Sequence, residues 1–418
     1  MKTIIRNAKV MNEDNLSDFY ISDGLISAPF SDTADIEFDV MGASLFPGLI
    51  DAHCHLREPG YEYKEDIESG TRSAVRGGYT SVCPMPNTSP VCDSPAIVQS
   101  IMKIASQKAS CNVFPIGAAS KGLKGLELSE IGLMKQAGIV AVSDDGLPIK
   151  TAAQLRKVME YASYFDIPVL NHCEDISLAE GAMNEGALAT SMGLRGIPEL
   201  AENIMISRDV LIAEYLNLPI HICHVSTRKG VEIIRDAKRR GVKVTAETCP
   251  HYFTLTESAC EGYNTYAKMN PPLRTETDRQ SIIEGIADST IDIIVTDHAP
   301  HHEDEKILEF SLALNGIIGF ETAFSLGYTY LVKPGHVELG RFIDAMTKRP
   351  SDILKLNRGT LDIGAPADIV CFDLEHEYKF DARNVLSKSK NTPFDGYDLF
   401  GRCILTIVGG KLSYEELC

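Results

Sequence analysis

Short apolar or β-branched runs alternate with longer amphipathic segments through most of the chain. Each run ends in polar residues, and segments such as KEDIESGTRSAVRGG and TRKGVEIIRDAKRRG follow with apolar residues at helical spacing and a closing glycine. The runs occupy residues 45–56, 79–87, 111–120, 138–146, 167–175, 218–226, 242–250 and 291–300. This alternation, repeated about eight times, predicts an α/β fold with a (β/α)₈ TIM-type barrel. A doubly wound open sheet is the alternative, and the lack of a long topological break favours the barrel.

The two ends of the chain show a different pattern, of short alternating strands. Residues 1–44 carry it around KTIIRNAKVM, FYISDGLIS and IEFDV, and residues 359–418 carry it around GTLDIGAPADIVCFDL and GRCILTIVGGKLSY. Neither end has enough apolar surface to fold alone. We therefore expect one small β-sandwich formed by both termini, with the barrel of residues 45–358 inserted between them.

The charge balance limits the classes of partner. Lys and Arg number 40 against 58 Asp and Glu, which gives a formal net charge of −18. So acidic a surface repels phosphate backbones and anionic lipids, and it predicts a small-molecule substrate with no nucleic-acid or membrane partner. Eleven cysteines without a framework pattern, and no visible signal peptide, indicate a cytoplasmic protein with free thiols. A homodimer is expected from base rates alone.

Metal-binding residue types recur where the predicted strands end, which in a barrel is the mouth that holds the active site. The strand-end residues are His53, His55, Asp144, Asp145, His172, His224 and Asp297, with His298 and His301 just beyond. A single strand-end histidine is usually a structural hydrogen-bonding residue, and SDDG alone is more often a turn. Jointly, four histidines and two aspartates at five strand ends form a suitable ligand set for two ions such as zinc.

Three cysteines adjoin the candidate histidines. They are Cys54, Cys173 and Cys223. Neighbouring residues of a strand face opposite ways, so these thiols should point outward to the helices if the histidines line the mouth. We interpret them as small buried hydrophobic residues and not as ligands.

A series of short motifs accompanies the strand ends. It begins with DAHCHLREPG (51–60) and continues with MPNT (85–88), SDDG (143–146), HCED (172–175), CHVST (223–227), KMNPPLR (268–274) and TDHAPH (296–301). In this order the motifs resemble the class I dihydroorotase family of the amidohydrolase superfamily, and GAPADIV (364–370) is similar to the superfamily's C-terminal segment. The resemblance covers almost the whole chain. It implies a zinc-dependent cyclic amide hydrolase that reversibly cyclises N-carbamoyl-L-aspartate to (S)-dihydroorotate in pyrimidine biosynthesis.

The resemblance also implies a metal site with one or two Zn²⁺ per chain, two being expected. One ion would be held by His53, His55 and Asp297, and the other by His172 and His224. Asp145 would bridge them in place of the carboxylated lysine of many relatives, and Lys150 is the nearby lysine that could be modified instead. Asp297 would serve as the catalytic acid and base.

A substrate-binding set follows from the same resemblance. It comprises His55, Arg57, Asn87, Asn270 and His301, which would hold the carboxylate and ring of the substrate. The family usually carries a Phe-Gly pair after the last-strand motif, whereas this chain has Asn315-Gly316. If residues 301–316 form a lid over the substrate, we expect Asn315 and Gly316 at its far end to supply backbone donors to the ring instead.

Several alternatives stay open at this point. A hydantoinase or allantoinase would use similar chemistry, but a simple hydantoin has no carboxylate for Arg57 and Asn87 to hold. An inactive scaffold barrel would not need a complete ligand set. Residues 301–316 begin with charged residues and turn apolar through Ile307, Leu308, Phe310 and Leu312, which suits either a lid over the substrate or a short surface helix.

Overall fold

The apolar runs form the eight parallel strands of a closed barrel in the computed structural model, which describes residues 1–417. Closure is made between the first and last strands, where the N–H of His55 donates to the carbonyl of His298 over 2.9 Å and the N–H of Asp297 donates to His53 over 3.0 Å. The strands are Leu49–Cys54, Tyr79–Pro84, Asn112–Val113 continued by Ile116–Ala118, Ala141–Ser143, Leu170–Asn171, Ile220–Ile222, Val244–Thr248 and Ile293–Ile294. The predicted barrel is confirmed, and a doubly wound sheet is excluded because its edge strands would not pair.

The amphipathic segments form helices that cover the barrel. Side chains at their starts accept hydrogen bonds from free backbone N–H groups, as Asp66, Thr151 and Thr227 do. The α-helices are Ile67–Arg76, Pro95–Lys108, Ile131–Ala137, Ala152–Ser163, Ala187–Ser191, Leu200–Leu216, Arg228–Arg239, Pro250–Thr254, Glu276–Ala287, Glu303–Lys306, Ala323–Gly327, Leu339–Met346 and Lys348–Leu354.

Adjacent strand residues contribute to two different apolar clusters. Val142 and Ile222 pack with the surrounding helices, whereas Ala141 and Cys223 belong to a second cluster that includes the barrel interior. This alternation is the period of two expected of strand side chains. The alternation determines which residues at the strand ends can face the barrel mouth.

Both ends of the chain join in one eight-stranded sheet beside the barrel. The strand Ser44–Pro47 pairs in parallel with the N-terminal strand and antiparallel with the C-terminal strand Ile369–Asp373, so it ties the termini together across the predicted boundary at residues 44 and 45. The remaining strands of this sheet are Lys2–Val10, Ser17–Ser22, Leu25–Ile26, Ile36–Asp39, Arg402–Val408 and Lys411–Glu415. A third apolar cluster lies on this sheet and includes Ile5, Leu45, Ile369 and Leu405.

Part of the C-terminal region leaves this sheet and runs over the barrel. Residues 374–400 include only the short strands Tyr378–Lys379 and Asp398–Leu399, which pair with each other. Asn391 reaches the mouth, where its amide nitrogen donates to the carbonyl of Ala299 over 2.9 Å. Residues 359–418 thus contribute three strands to the shared sheet, and the segment between the first two of them contacts the barrel instead.

Two further observations concern the described residues as a whole. Within residues 1–417, no helix has the length and apolar character needed to cross a membrane. The ten cysteines in that range are all unpaired and buried.

Candidate metal centre and substrate cavity

Asp145 lies between two pairs of histidines at the barrel mouth. Its Oδ2 is 3.3 Å from Nε2 of His53 and 3.7 Å from Nε2 of His55. Its Oδ1 is 3.3 Å from Nε2 of His224 and 3.6 Å from Nδ1 of His172. All five side chains are buried. One carboxylate thus faces both halves of the predicted ligand set, in the place where a bridging group is needed.

Asp297 completes the half of the site that contains the first-strand histidines. Its Oδ1 is 3.1 Å from Nε2 of His55 and 3.7 Å from Nε2 of His53. Lys150, the alternative source of a bridging group, is exposed on the loop after Asp145. The structure therefore brings all six predicted ligands together and leaves Lys150 in solvent.

The backbone changes direction where the sixth strand ends. His224 has a positive φ of 32°, which is uncommon for a residue other than glycine, so the regular alternation of side chains stops there. As a result both Cys223 and His224 face the barrel interior, and the prediction that Cys223 points outward is wrong. Cys54 and Cys173 pack in the helix-side cluster, as predicted.

His53 provides the test of whether the site fits a cation. Its Nδ1 is 2.6 Å from Oε1 of Glu247, while its fully buried Nε2 has no hydrogen-bond partner within the described chain. A ring that donates Nδ1–H to a carboxylate presents a lone pair at Nε2, and here that lone pair faces Asp145. Such an arrangement needs positive charge between ring and carboxylate. A divalent ion supplies it, and the imidazole and carboxylate donors suit zinc.

Glu247, on the seventh strand, was not predicted from the sequence. Its second oxygen, Oε2, is 2.9 Å from Nε2 of His221. Burial alone would raise the pKa of Glu247, but His53 and His221 hold it well below the ordinary range. The available signal was a carboxylate inside the run VKVTAETCP, where a buried strand should be apolar.

Two more side chains hold metal-site histidines. Oδ1 of Asn87 is 2.9 Å from Nδ1 of His55, so Asn87 orients a metal ligand as well as lining the cavity. Glu174, which the sequence analysis placed in a motif without a role, is 3.3 Å from Nε2 of His172 and accepts from the side-chain amide of Asn270 over 3.2 Å. Glu174 therefore links a metal ligand to a predicted substrate-binding residue.

A cavity of about 250 Å³ opens above the ligand set. It is lined by His55, Arg57, Asn87, Asp145, Gly146, His172, His224, Met269, Asn270, Asp297, Ala299, His301, Leu314 and Asn315. Gly316 does not line it, because its N–H donates to the carbonyl of Lys268 over 3.0 Å. In this arrangement the N–H of Gly316 is already bonded, and its donation to the substrate ring stays a prediction. Gly316 instead permits close packing, since a Cβ there would lie 2.7 Å from the carbonyl oxygen of Ala299.

Arg57 and His301 line the same cavity as the metal ligands. Nε of Arg57 donates to the carbonyl of Pro300 over 3.2 Å, and its Nη2 is 3.4 Å from Nε2 of His301. Lys64 lies behind, with Nζ 3.3 Å from Nδ1 of His301 and 2.9 Å from Oε1 of Glu305. Burial and the charges of Arg57 and Lys64 hold the pKa of His301 far below its ordinary value, so this ring is neutral. Arg57 therefore brings positive charge to the cavity, whereas the charge of Lys64 is offset by Glu305.

The segment of residues 301–316 forms a loop with one short helix, Glu303–Lys306. Phe310 is buried, whereas Ile307 and Leu312 are 67% and 64% exposed. The helix covers only four residues, none of them apolar, and the apolar residues lie in the loop that follows it. The lid hypothesis stays a prediction.

Relatives of known name share this sequence over nearly its full length. The chain is 56% identical to a dihydroorotase of Ruminiclostridium cellulolyticum over 98% of both chains. It is 54% identical to a dihydroorotase of Acetivibrio thermocellus, over 97% of this chain and 96% of the other. A family model described as "Dihydro-orotase-like" matches residues 42–230.

Solved structures with the same fold include cyclic amidohydrolases. The L-hydantoinase of Arthrobacter aurescens superposes with a TM-score of 0.89 at 25% identity, covering 100% of this chain and 97% of the other. The dihydropyrimidinase of Brevibacillus agri NCHU1002 gives a TM-score of 0.86 at 22% identity, covering 99% and 95%. This chain thus shares its fold with both proteins although their sequence identity to it is low.

Proposed function

Because the chain belongs to the dihydroorotase family, we propose that its barrel mouth catalyses the reversible cyclisation of N-carbamoyl-L-aspartate to (S)-dihydroorotate and water, in de novo pyrimidine biosynthesis. The observation that carries this proposal is the cavity that Arg57 and neutral His301 line together with the metal ligands. A cyclic amide that bears a carboxylate would offer the carboxylate to Arg57 and the amide to the metal ligands. A hydantoin lacks that carboxylate, and the hydantoinases compared are only distant relatives.

We propose two zinc ions in this site. His53, His55 and Asp297 would hold one, His172 and His224 the other, and Asp145 would contact both. Ions bound there would lower the pKa of a water molecule and polarise the amide carbonyl. Glu247, Asn87 and Glu174 keep the histidines in position, because each bonds the ring nitrogen that faces away from Asp145.

Asp297 is the residue that moves the proton. Its carboxylate is buried and His55 holds one of its oxygens at 3.1 Å. Burial would raise its pKa, but His55 and the other site histidines keep it lowered, so Asp297 is ionised and can accept a proton. During ring opening it takes the proton from the attacking water and delivers it to the ring nitrogen as the C–N bond breaks. Ring closure follows the same steps in reverse.

Arg57, Asn270 and His301 hold the substrate in register with the metal ligands. Arg57 is fixed by the hydrogen bond from its Nε to the carbonyl of Pro300. The two terminal NH2 groups of its guanidinium can bind both oxygens of a carboxylate. His301 is fixed from the C-terminal region, since its N–H donates to Oδ1 of Asn391 over 3.0 Å. Holding the carboxylate places the scissile amide over the ligand set, which lowers the entropic part of the barrier.

We propose that the barrel, residues 45–358, is the catalytic domain and that residues 1–44 and 359–418 support it.

We also propose that the protein forms a homodimer. The helix Leu200–Leu216 supports it by exposing Leu200, Ile204, Leu211 and Tyr215 along one side. Sedimentation of the purified chain measures the oligomeric state, and a monomer at micromolar concentration contradicts this part.

The test of the function is turnover of dihydroorotate, hydantoin and allantoin by the zinc-loaded protein under the same conditions. We expect dihydroorotate to have the highest kcat/KM and His53→Ala to abolish its turnover. A higher kcat/KM for hydantoin or allantoin would overturn the assignment of dihydroorotate as the substrate. No turnover of any of the three would support an inactive scaffold.

A further inference from the structure

Lys306 is fully buried beneath the loop at the cavity rim. Its Nζ donates to the carbonyl of Leu314 over 2.7 Å and to that of Gly316 over 3.2 Å. No carboxylate contributes to its environment, where the titratable neighbours are Lys268 and the Cys260 thiol, which burial keeps neutral by raising its pKa. Lysine is almost never fully buried without a charged partner, so this position calls for an explanation.

Lys268 holds the same loop from the other side. Its Nζ donates to the carbonyls of Ser311 over 3.1 Å and Ala313 over 2.7 Å. Its own carbonyl accepts from the N–H of Gly316 over 3.0 Å. The two ammonium groups therefore hold four carbonyl oxygens of residues 311–316, and backbone contacts fix the end of that stretch.

These contacts lie directly behind the wall of the substrate cavity. Leu314 and Asn315, between the clamped carbonyls, line the cavity, as do Met269 and Asn270, which follow Lys268 in the chain. Movement of Lys268 would shift both stretches of wall, and loss of the Lys306 contacts would release Leu314 and Gly316. The clamp contacts thus affect the shape of the cavity, because the residues that line it are chain neighbours of the clamped ones.

The two lysines are also uncompensated charges. Burial and nearby Lys268 lower the pKa of Lys306 to about 7, and burial lowers that of Lys268. Burying like charges close together costs stability, and hydrogen bonds to carbonyls offset only part of that cost. An anion bound in the adjacent cavity reduces it further. Apolar residues would hold the loop without this cost but would not attract an anion.

We propose that Lys268 and Lys306 are positioning residues that clamp residues 311–316 into the cavity wall and make the cavity selective for substrates that carry a carboxylate. The clamp follows from the contacts alone, whereas the identity of the carboxylate substrate rests on the proposed function. Neither lysine touches the reacting atoms.

The test compares Lys306→Met and Lys268→Met with Lys411→Met, which removes an exposed lysine from the terminal sheet. For dihydroorotate we expect KM to rise about tenfold in each clamp variant, the effect of about one lost charge-assisted interaction, with kcat changed less. The inhibition constant of dihydrouracil, a neutral ring without the carboxylate, should rise by a smaller factor. Lys411→Met should have the KM and inhibition constant of the unmodified protein. All three variants should keep its metal content.

Hydrogen exchange of residues 307–316 is the second measurement. We expect faster exchange there in both clamp variants, with the barrel strands unchanged. An unchanged KM and unchanged exchange would overturn the clamp, and equal effects on dihydroorotate and dihydrouracil would overturn the selectivity. If one variant does not fold, the other still decides the matter. Absence of dihydroorotate turnover in the unmodified protein would contradict the proposed function instead, while the exchange data would still test the clamp.

Discussion

Oε1 of Glu247 lies 2.6 Å from Nδ1 of His53, although the two residues are 194 positions apart in the chain. The contact joins the seventh barrel strand to the first and leaves Nε2 of His53 as the atom that faces Asp145. A buried carboxylate in this place fixes both the ring orientation and the nitrogen that carries the proton.

Replacing Glu247 should therefore weaken metal binding. In Glu247→Gln the amide can supply one acceptor but no negative charge, and loss of such a partner typically lowers metal affinity about 10–100-fold. Competition with a zinc chelator measures this affinity. Glu284→Gln, on an exposed position of the helix Glu276–Ala287, is the matched control. Equal zinc affinity in both variants would show that Glu247 has no such role.

Asp145 should replace a carboxylated lysine in function. We expect activity without added bicarbonate, and we expect Asp145→Ala to lose the ion held by His172 and His224. Lys150→Ala, which removes an exposed lysine from the same loop, should keep both metal content and activity. Dependence on bicarbonate, or loss of activity in Lys150→Ala, would mean that a modified lysine is the bridge.

Arg57 should bind the carboxylate of the substrate. Arg57→Met removes a charge-assisted contact worth roughly 1.5–3 kcal/mol, so kcat/KM for dihydroorotate should fall by about one to two decades, mainly through KM. Metal content should not change, because Arg57 contacts Pro300 and His301 and no metal ligand. Steady-state kinetics beside Arg72→Met, an exposed arginine, checks this. An unaltered KM would assign the carboxylate to another cation.

Lys306 should make stability depend on pH. The unfolded chain keeps the lysine protonated up to its ordinary pKa of 10.5, whereas burial beside Lys268 and Cys260 lowers the folded value to about 7. Between these values the unfolded state binds more protons, so the free energy of unfolding contributed by this group rises with pH. Urea unfolding should therefore show the unfolding free energy of the unmodified protein rising relative to that of Lys306→Met from pH 7 to pH 9. A constant difference between them would contradict the lowered pKa.

The sequence alone predicted the barrel and six residues that converge at its mouth. The prediction succeeded because strand periodicity and the end of a strand can be recognised from neighbouring residues alone. His53, Asp145 and Asp297 could therefore each be placed from the apolar run that contains them. It failed at Cys223, where the positive φ of the next residue ends the alternation. That backbone turn depends on tertiary packing and leaves no local pattern.

The partners of the ligands could not be predicted for a different reason. Glu247, Asn391 and Lys306 act through contacts with residues that are distant in the chain or through backbone carbonyls. No spacing rule connects such pairs. The bond from the N–H of Gly316 to the carbonyl of Lys268 is another long-range contact that no local pattern predicts.

The central claim is that Asp145 bridges two metal ions at the barrel mouth. A crystal structure of the zinc-loaded protein, with anomalous data collected at the zinc edge, tests it most directly. The account predicts two anomalous peaks about 3.5–4 Å apart, the spacing usual in two-metal sites, with one Asp145 oxygen on each. A single peak away from Asp145, a ligand sulfur from Cys223, or a carboxylated lysine between the ions would contradict it.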